Sequence, residues 1–163
     1  MISLMRRQIK LFFTNKANPI FSMLGALISF VLYIIFLQKN MTEIWPNNKT
    51  AKLILDWWVI GGILAVVSMT TSWHIGLRLI SDRETNRLND LLLTDTSVVK
   101  VYNAYFMSSS LVTLIMQVMM FSIMLVYFHF KDGINLSFEK LPALLLLMIL
   151  SSILGGVASI LVS

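Results

Sequence analysis

Four long stretches of the chain contain no charged residue. They cover 17–38, 57–77, 101–130 and 141–163, and they are rich in large apolar residues. A helix needs about 20 such residues to cross about 30 Å of hydrocarbon, where no water can satisfy its backbone amides. The pattern therefore predicts an all-α integral membrane protein with four transmembrane helices, at 19–38, 55–79, 98–128 and 141–163.

The first 16 residues place apolar and polar side chains at helical spacing. The apolar positions are Ile2, Met5, Ile9, Phe12 and Phe13. The other face carries Arg6, Arg7 and Lys10, which predicts an amphipathic helix over 1–16 that lies in the membrane interface. Asn18 and Pro19 should end this helix, because the residue before a proline avoids helical geometry. The helix is either an anchor alone or an anchor that also contacts a cytosolic partner.

The polar segment 81–97, SDRETNRLNDLLLTDTS, carries a second helical pattern. Ser81 and Glu84 have the spacing of a capping box, which predicts the start of a helix. Leu88, Leu91 and Leu92 share one face of that helix, and charged residues lie elsewhere. We therefore predict a short helix over 82–94, parallel to the membrane. It is either a capped connector or a docking surface, and its length favours docking, because helix connections usually take about two to eight residues.

Basic residues are distributed unequally between alternate loops. The N-terminal segment and the loop between the second and third spans together carry eight Lys and Arg, and the other two loops carry five. Cytoplasmic loops of membrane proteins carry the excess of positive charge. We therefore expect a multi-pass protein of the cell membrane whose N-terminus and 82–94 helix are both cytoplasmic.

Composition excludes several classes of protein and site. Hydrophobic residues make up 57% of the chain and charged residues 13%, against about 25% charged in soluble domains. The chain has no cysteine and only two histidines, which excludes disulfides, thiolate sites and a cysteine nucleophile. We attribute the net charge of +5 to membrane orientation and anionic headgroups, and expect no nucleic acid partner. The charge-free stretches contain no carboxylate, which argues against proton-coupled transport and an intramembrane hydrolase.

Small residues recur within the spans at intervals of three or four. In the second span they are Gly61, Ala65, Ser68, Ser72 and Gly76. The fourth span repeats the spacing with Ser151, Gly155 and Ser159. Such stripes let helix backbones approach closely, and they serve either static packing or a transport pathway.

The third span carries a polar edge and a methionine stripe. Its polar edge consists of Ser110, Thr113 and Gln117, and the stripe consists of Met116, Met119, Met120 and Met124. We interpret the hydroxyls as bonded to carbonyls of their own helix and the methionines as facing lipid. The role of Gln117, in packing or in a pathway, stays open, because its amide is costly to leave unpaired in lipid.

The order of these parts resembles the permease subunit of an ABC-2 type ABC exporter. A basic amphipathic helix, MRRQIKLFFTNK, precedes the first span, and DRETNRLNDLLLTDTS leads from the second span into the third. The joining segment matches the family's pattern at Asp82, Arg83, Glu84, Leu88, Leu91, Leu92 and Thr94. Asn86 stands where the family usually has glycine, and Asp95 where it usually has proline. The family has six spans, so these four correspond to its first four.

The resemblance implies a non-enzymatic subunit of an ATP-driven exporter. The cargo would be an amphipathic peptide or a hydrophobic small molecule. A separate cytosolic ABC ATPase would bind ATP and magnesium, since this chain has no GxxxxGK[ST] motif and is expected to bind no cofactor. A second permease copy or a homologue would complete a dimer. The expected ATPase contacts, on a coupling helix over 82–94, are Asp82, Arg83, Glu84, Arg87, Leu88, Asp90, Leu91 and Leu92.

A function from another class is the alternative to transport. A membrane protein of this kind could bind a toxic peptide without moving it, as an immunity or sensor protein does. A soluble ATPase partner favours the exporter, and its absence favours the binding protein.

Overall fold

The computed structural model describes residues 2–38, 40, 49–87, 97–132 and 141–162, and this part of the chain is helical without a strand. The helices are α1 (Ile2–Thr14), α2 (Ala17–Leu32, extended by a π-helical turn, Tyr33–Leu37), α3 (Lys49–Glu84), α4 (Val98–Asp132) and α5 (Leu141–Val162). Helices α2 to α5 each contain a segment long and apolar enough to cross a membrane. The predicted all-α fold with four apolar helices is confirmed.

Helices α2 to α5 form a bundle in which successive helices run in opposite directions, so that α3 and α5 are parallel. Helix α3 is central and packs against α2, α4 and α5. We call the end formed by α1, the last turns of α3 and the first turns of α4 the proximal end. The distal end is formed by the last turns of α2, the first turns of α3 and the last turns of α4.

The boundary between α1 and α2 lies earlier than the sequence predicts. The chain turns at Asn15 and Lys16, and the Asn15 side-chain oxygen accepts a hydrogen bond from the backbone amide of Ala17 at 3.2 Å. Pro19 lies in the first turn of α2, where its missing N–H costs no helical hydrogen bond. Pro19 therefore lies within the second helix and does not end the first.

Helix α3 continues through the predicted capping box. Ser81 lies inside α3, and its carbonyl oxygen accepts hydrogen bonds from the amide and the hydroxyl of Thr85, at 3.0 and 2.8 Å. A capping residue must be non-helical, so the predicted helix start at this position is wrong. Burial of Leu79 and Asp82 against α4 sustains the helix here. Asn86, with φ of 56°, then ends it in the left-handed conformation that asparagine tolerates.

The hydrophobic core lies between α2, α3 and α4, with Phe12 of α1 at its edge. Met116, Met120 and Met124 are fully enclosed in it, whereas Met119 is exposed. The interpretation of this stripe as facing lipid is therefore wrong for three of the four. These three lie four residues apart on the face of α4 that meets α2 and α3, and flexible thioethers fill irregular gaps between such helices.

Candidate functional site

Small residues of α3 and α5 meet in register. The Ser68 hydroxyl donates a hydrogen bond to the carbonyl oxygen of Ser151 at 2.8 Å. A Cβ atom on Gly155 would lie 2.9 Å from the Ser68 hydroxyl, and one on Gly76 would lie 3.0 Å from the carbonyl oxygen of Ser159. Close approach of the two parallel backbones therefore depends on the absence of side chains at these glycines.

Hydroxyl groups of α3 also bond to other helices. Ser72 and Thr113 share a hydrogen bond between α3 and α4 at 3.1 Å. The Thr70 hydroxyl lies 2.7 Å from the carbonyl oxygen of Ser22 in α2 and 2.9 Å from that of Val66 in its own helix. The interpretation that hydroxyls of the third span bond to their own helix therefore does not hold for Thr113, which bonds to Ser72 of α3.

A cleft lies between α3 and α5 toward the distal end. We call this space of about 520 Å³ the α3–α5 cleft. Gly61 and Ala65 line it on α3, and Leu144 and Leu147 line it on α5. Within the described part of the chain, no atom outside the helix backbone lies within 4 Å of the position that a Gly61 Cβ would take. The small-residue stripe of α3 thus divides into a proximal half that packs against α5 and a distal half that lines the cleft.

Gln117 of α4 lines the cleft beside Leu64 and Ser151. Its Nε2 donates hydrogen bonds to the carbonyl oxygen of Leu64 and to the hydroxyl of Ser151, each at 3.2 Å. A carbonyl oxygen can only accept, which determines the orientation of the amide. The Oε1 atom of the same amide is buried and accepts no hydrogen bond from the described residues. Leaving such an acceptor unpaired costs about 1–3 kcal/mol.

Asp82 is buried at the proximal end, where it connects α3 to α4. One carboxylate oxygen accepts a hydrogen bond from the Tyr105 hydroxyl at 2.5 Å. The other lies 3.9 Å from a guanidinium nitrogen of Arg87, whose side chain is 65% exposed. The sequence predicts Asp82 as a contact for a partner, but the structure turns its carboxylate toward the bundle.

Helix α1 docks onto this proximal end. Phe12 is 2% exposed and belongs to the bundle core. The Arg78 guanidinium donates a hydrogen bond to the carbonyl oxygen of Leu11 at 3.5 Å, in the last turn of α1 where carbonyls lack helical partners. Ile2 and Phe13 of the predicted apolar face stay exposed. The helix therefore uses part of its apolar face to contact the bundle and leaves part available to the membrane interface.

A second aspartate is buried at the distal end. Asp56 is 1% exposed and accepts a hydrogen bond from the hydroxyl of Tyr33 in the π-helical turn of α2. The Tyr127 hydroxyl donates to the side-chain oxygen of Gln38 at 3.1 Å, which joins α4 to the end of α2. Sequence reasoning missed both tyrosine–aspartate pairs, because a contact between two helices leaves no periodic signal in one sequence.

The predicted ATPase contacts other than Asp82 fall into two groups. Arg83, Glu84 and Arg87 are exposed at the proximal end, where α3 ends and the chain turns. The remaining four lie outside the described residues: Leu88, Asp90, Leu91 and Leu92. The described part of this segment thus offers two cations and one anion to a partner.

No group of three or more potential metal ligands occurs within the described residues. The chain matches no protein-family model, no curated protein and no solved structure. Function is therefore inferred from the sequence pattern together with the geometry of the two ends and the cleft.

Proposed function

We propose that the chain is the membrane-spanning permease subunit of an ATP-driven ABC-2 type exporter, in the cell membrane with its N-terminus cytoplasmic. The observation that supports this most is the proximal end, where buried Asp82 joins α3 to α4 next to exposed charged residues. The resemblance of 82–94 to the family's coupling segment supports the same role. A separate cytosolic ATPase binds ATP and magnesium, and the present chain has a mechanical role.

Movement of the ATPase would reach the spans through the end of α3. This helix continues to Glu84, and Asp82 near its end is bonded to Tyr105 of α4. A displacement of the exposed residues therefore tilts α3 and α4 together as rigid elements. Arg78 adds α1 to the same unit, because it bonds the last turn of that helix.

The proposed contact combines charged and apolar groups. Arg83 and Arg87 suit an acidic rim on the ATPase, and the predicted apolar face of 88–92 suits a groove. Charges at a rim mainly change association rate and salt dependence, whereas a charge buried in an apolar contact weakens binding itself. The two kinds of substitution therefore have different signatures.

The test is a double variant, Arg87→Glu with Leu91→Asp. We expect the ATPase to be lost from affinity-purified complexes and export to fall to background, because both the rim and the groove contact are damaged. Membrane insertion should be unchanged, since neither position lies in a charge-free span. The single variant Arg87→Glu should depend on ionic strength. Lys140→Glu provides a matched charge reversal on the opposite side of the membrane in the proposed topology and should retain export.

Full export by the double variant would contradict the coupling role and leave a plain connector. Purification of the intact complex without any ATPase would favour the second candidate function, a binding or sensor protein. The α3–α5 cleft favours that candidate, because a protein can bind an apolar molecule in such a cavity without ATP hydrolysis. A second permease copy or a homologue in the complex is expected for the exporter.

A further inference from the structure

We propose that the α3–α5 cleft binds a neutral, largely apolar small molecule that carries one hydrogen-bond donor, such as a long-chain alcohol or amide. This inference names the substrate class of the proposed exporter. Only the statement that the bound molecule is cargo rests on that proposed function; binding in the cleft does not. Its basis is the cleft itself together with the unpaired acceptor of Gln117.

The shape of the cleft follows from the sizes of the residues on its two walls. Gly61 and Ala65 remove side-chain volume from α3 at the distal half of the interface, opposite Ala143 of α5. At the proximal side the Ser68–Ser151 hydrogen bond brings the helices together and closes the cleft. The resulting volume of about 520 Å³ lies in the range of about 300–1,000 Å³ typical of small-molecule sites.

The chemistry of the lining defines the ligand. Apart from Gln117 and Ser151, every described residue of the lining is apolar, glycine or tryptophan, and none of these is charged. A charged ligand group would therefore be buried without a counter-ion, which excludes a carboxylate or an ammonium. The body of the ligand must be apolar to gain from burial against Leu144 and Leu147.

The polar end of the ligand is determined by Gln117. Its Nε2 already donates to Leu64 and Ser151, so neither N–H of the amide is left to bond an acceptor on the ligand. Its Oε1 is unpaired within the described residues, and Gln117 is one of the residues that line the cleft. A hydroxyl or an N–H on the ligand supplies the missing donor, whereas an ether, an ester or an alkane does not.

The experiment compares two photoreactive probes on the purified chain in phosphatidylcholine nanodiscs, without an ATPase. One probe is a diazirine-bearing fatty alcohol, and the other is its methyl ether, which has the same apolar body and no donor. Cross-linked peptides are located by mass spectrometry. We expect labelling of 57–65 and 143–151 by the alcohol to exceed labelling by the ether by about five-fold, the effect of one additional hydrogen bond.

Adjacent glycines supply a matched pair of variants. Among the described residues, a Cβ at either Gly61 or Gly62 meets no atom within 4 Å outside its own helix backbone, so neither substitution clashes at its first side-chain atom. Gly61 lines the cleft, whereas Gly62 faces a separate surface recess beside Tyr33 and Trp58. Gly61→Leu should therefore abolish cleft labelling, and Gly62→Leu should leave it at the level of the unmodified chain.

Three outcomes would overturn the inference. Equal labelling by alcohol and ether would remove the role of the Gln117 acceptor. Labelling that survives Gly61→Leu would place the probe on the lipid-facing surface. A benzophenone side chain introduced at Ala65 that cross-links to another polypeptide would assign the cleft to a protein helix. Because no ATPase is present, each of these results leaves the proposed coupling role intact, and loss of that role would leave probe binding intact.

Discussion

At the scale of single residues, two buried aspartates connect α3 to its neighbouring helices. Asp56 and Asp82 lie near opposite ends of α3, and each accepts a hydrogen bond from a tyrosine hydroxyl of another helix. A buried carboxylate is costly unless it is hydrogen-bonded, so each tyrosine both lowers that cost and determines which helix lies beside it. The pairs Tyr33–Asp56 and Tyr105–Asp82 therefore specify how α2 and α4 pack on α3.

The proximal pair is tested by Tyr105→Phe. This change keeps the ring and removes the donor to Asp82, which keeps Arg87, at 3.9 Å, and Arg78 as charged neighbours. We expect the free energy of unfolding to fall by about 1–3 kcal/mol, the cost of a buried polar group that loses its partner. Thermal unfolding in detergent measures the effect. Tyr102→Phe, on the same helix, is the control, and equal destabilisation by both variants would show that the hydrogen bond has no special role.

At the scale of helices, the parallel interface between α3 and α5 explains why small residues recur in both. Ser68 and Gly76 of α3 meet Ser151, Gly155 and Ser159 of α5 over successive turns. In lipid, association of helices depends on packing and hydrogen bonds, because the surroundings are as apolar as the helices themselves. The interface is consequently sensitive to any added volume.

Gly155→Leu tests this sensitivity. A Cβ at this position would lie 2.9 Å from the Ser68 hydroxyl, so α5 would have to move away from α3. The close approach of Ser159 to Gly76 would then be lost as well. We expect a loss of about 1–3 kcal/mol from overpacking, and with it a lower midpoint of thermal aggregation. Gly25→Leu, at a position where a Cβ meets nothing within 4 Å, should be nearly neutral. A neutral Gly155→Leu would mean that the helices can separate at no cost.

Sequence pattern predicts the helices of this fold better than their ends. Four apolar stretches are sufficient to locate α2 to α5, because the requirement of the bilayer for about 20 apolar residues acts locally. The capping pattern at Ser81 is equally local, but Leu79 and Asp82 pack against α4 and carry the helix past it. The direction in which Met120 points likewise depends on neighbours that are distant in sequence.

The candidate site is only partly visible in the sequence for the same reason. The spacing of the small-residue stripe is evident in the sequence. The neighbouring residues in sequence, however, do not predict that Ser68 contacts α5 while Gly61 lines a cleft. Gln117 attracts attention as a polar residue in a span, but its two partners lie on two other helices. Periodicity identifies a face of a helix, and only the packing of the bundle determines what that face contacts.

At the scale of the whole molecule, the sequence segments of the proximal end carry eight Lys and Arg, against five in those of the distal end. The exposed cations at the proximal end come from α1, from the end of α3 and from the start of α4: Arg6, Arg7, Lys10, Arg83, Arg87 and Lys100. The inner leaflet of a cell membrane has a negative surface potential, which attracts basic segments next to a span. Placing this end outside would lose that attraction, which supports the proposed topology with a cytoplasmic N-terminus.

Single cysteines test this orientation, because the chain has no cysteine of its own. Asn48 lies in sequence between the first two charge-free stretches, and Asn89 lies between the second and the third. Each is replaced by cysteine in turn. We expect an impermeant thiol reagent to label Asn48→Cys in intact cells and to label Asn89→Cys only after the membrane is permeabilised. The opposite result would place the proximal end outside, where no cytosolic ATPase could reach the charged end of α3. The coupling role would then be excluded together with the topology.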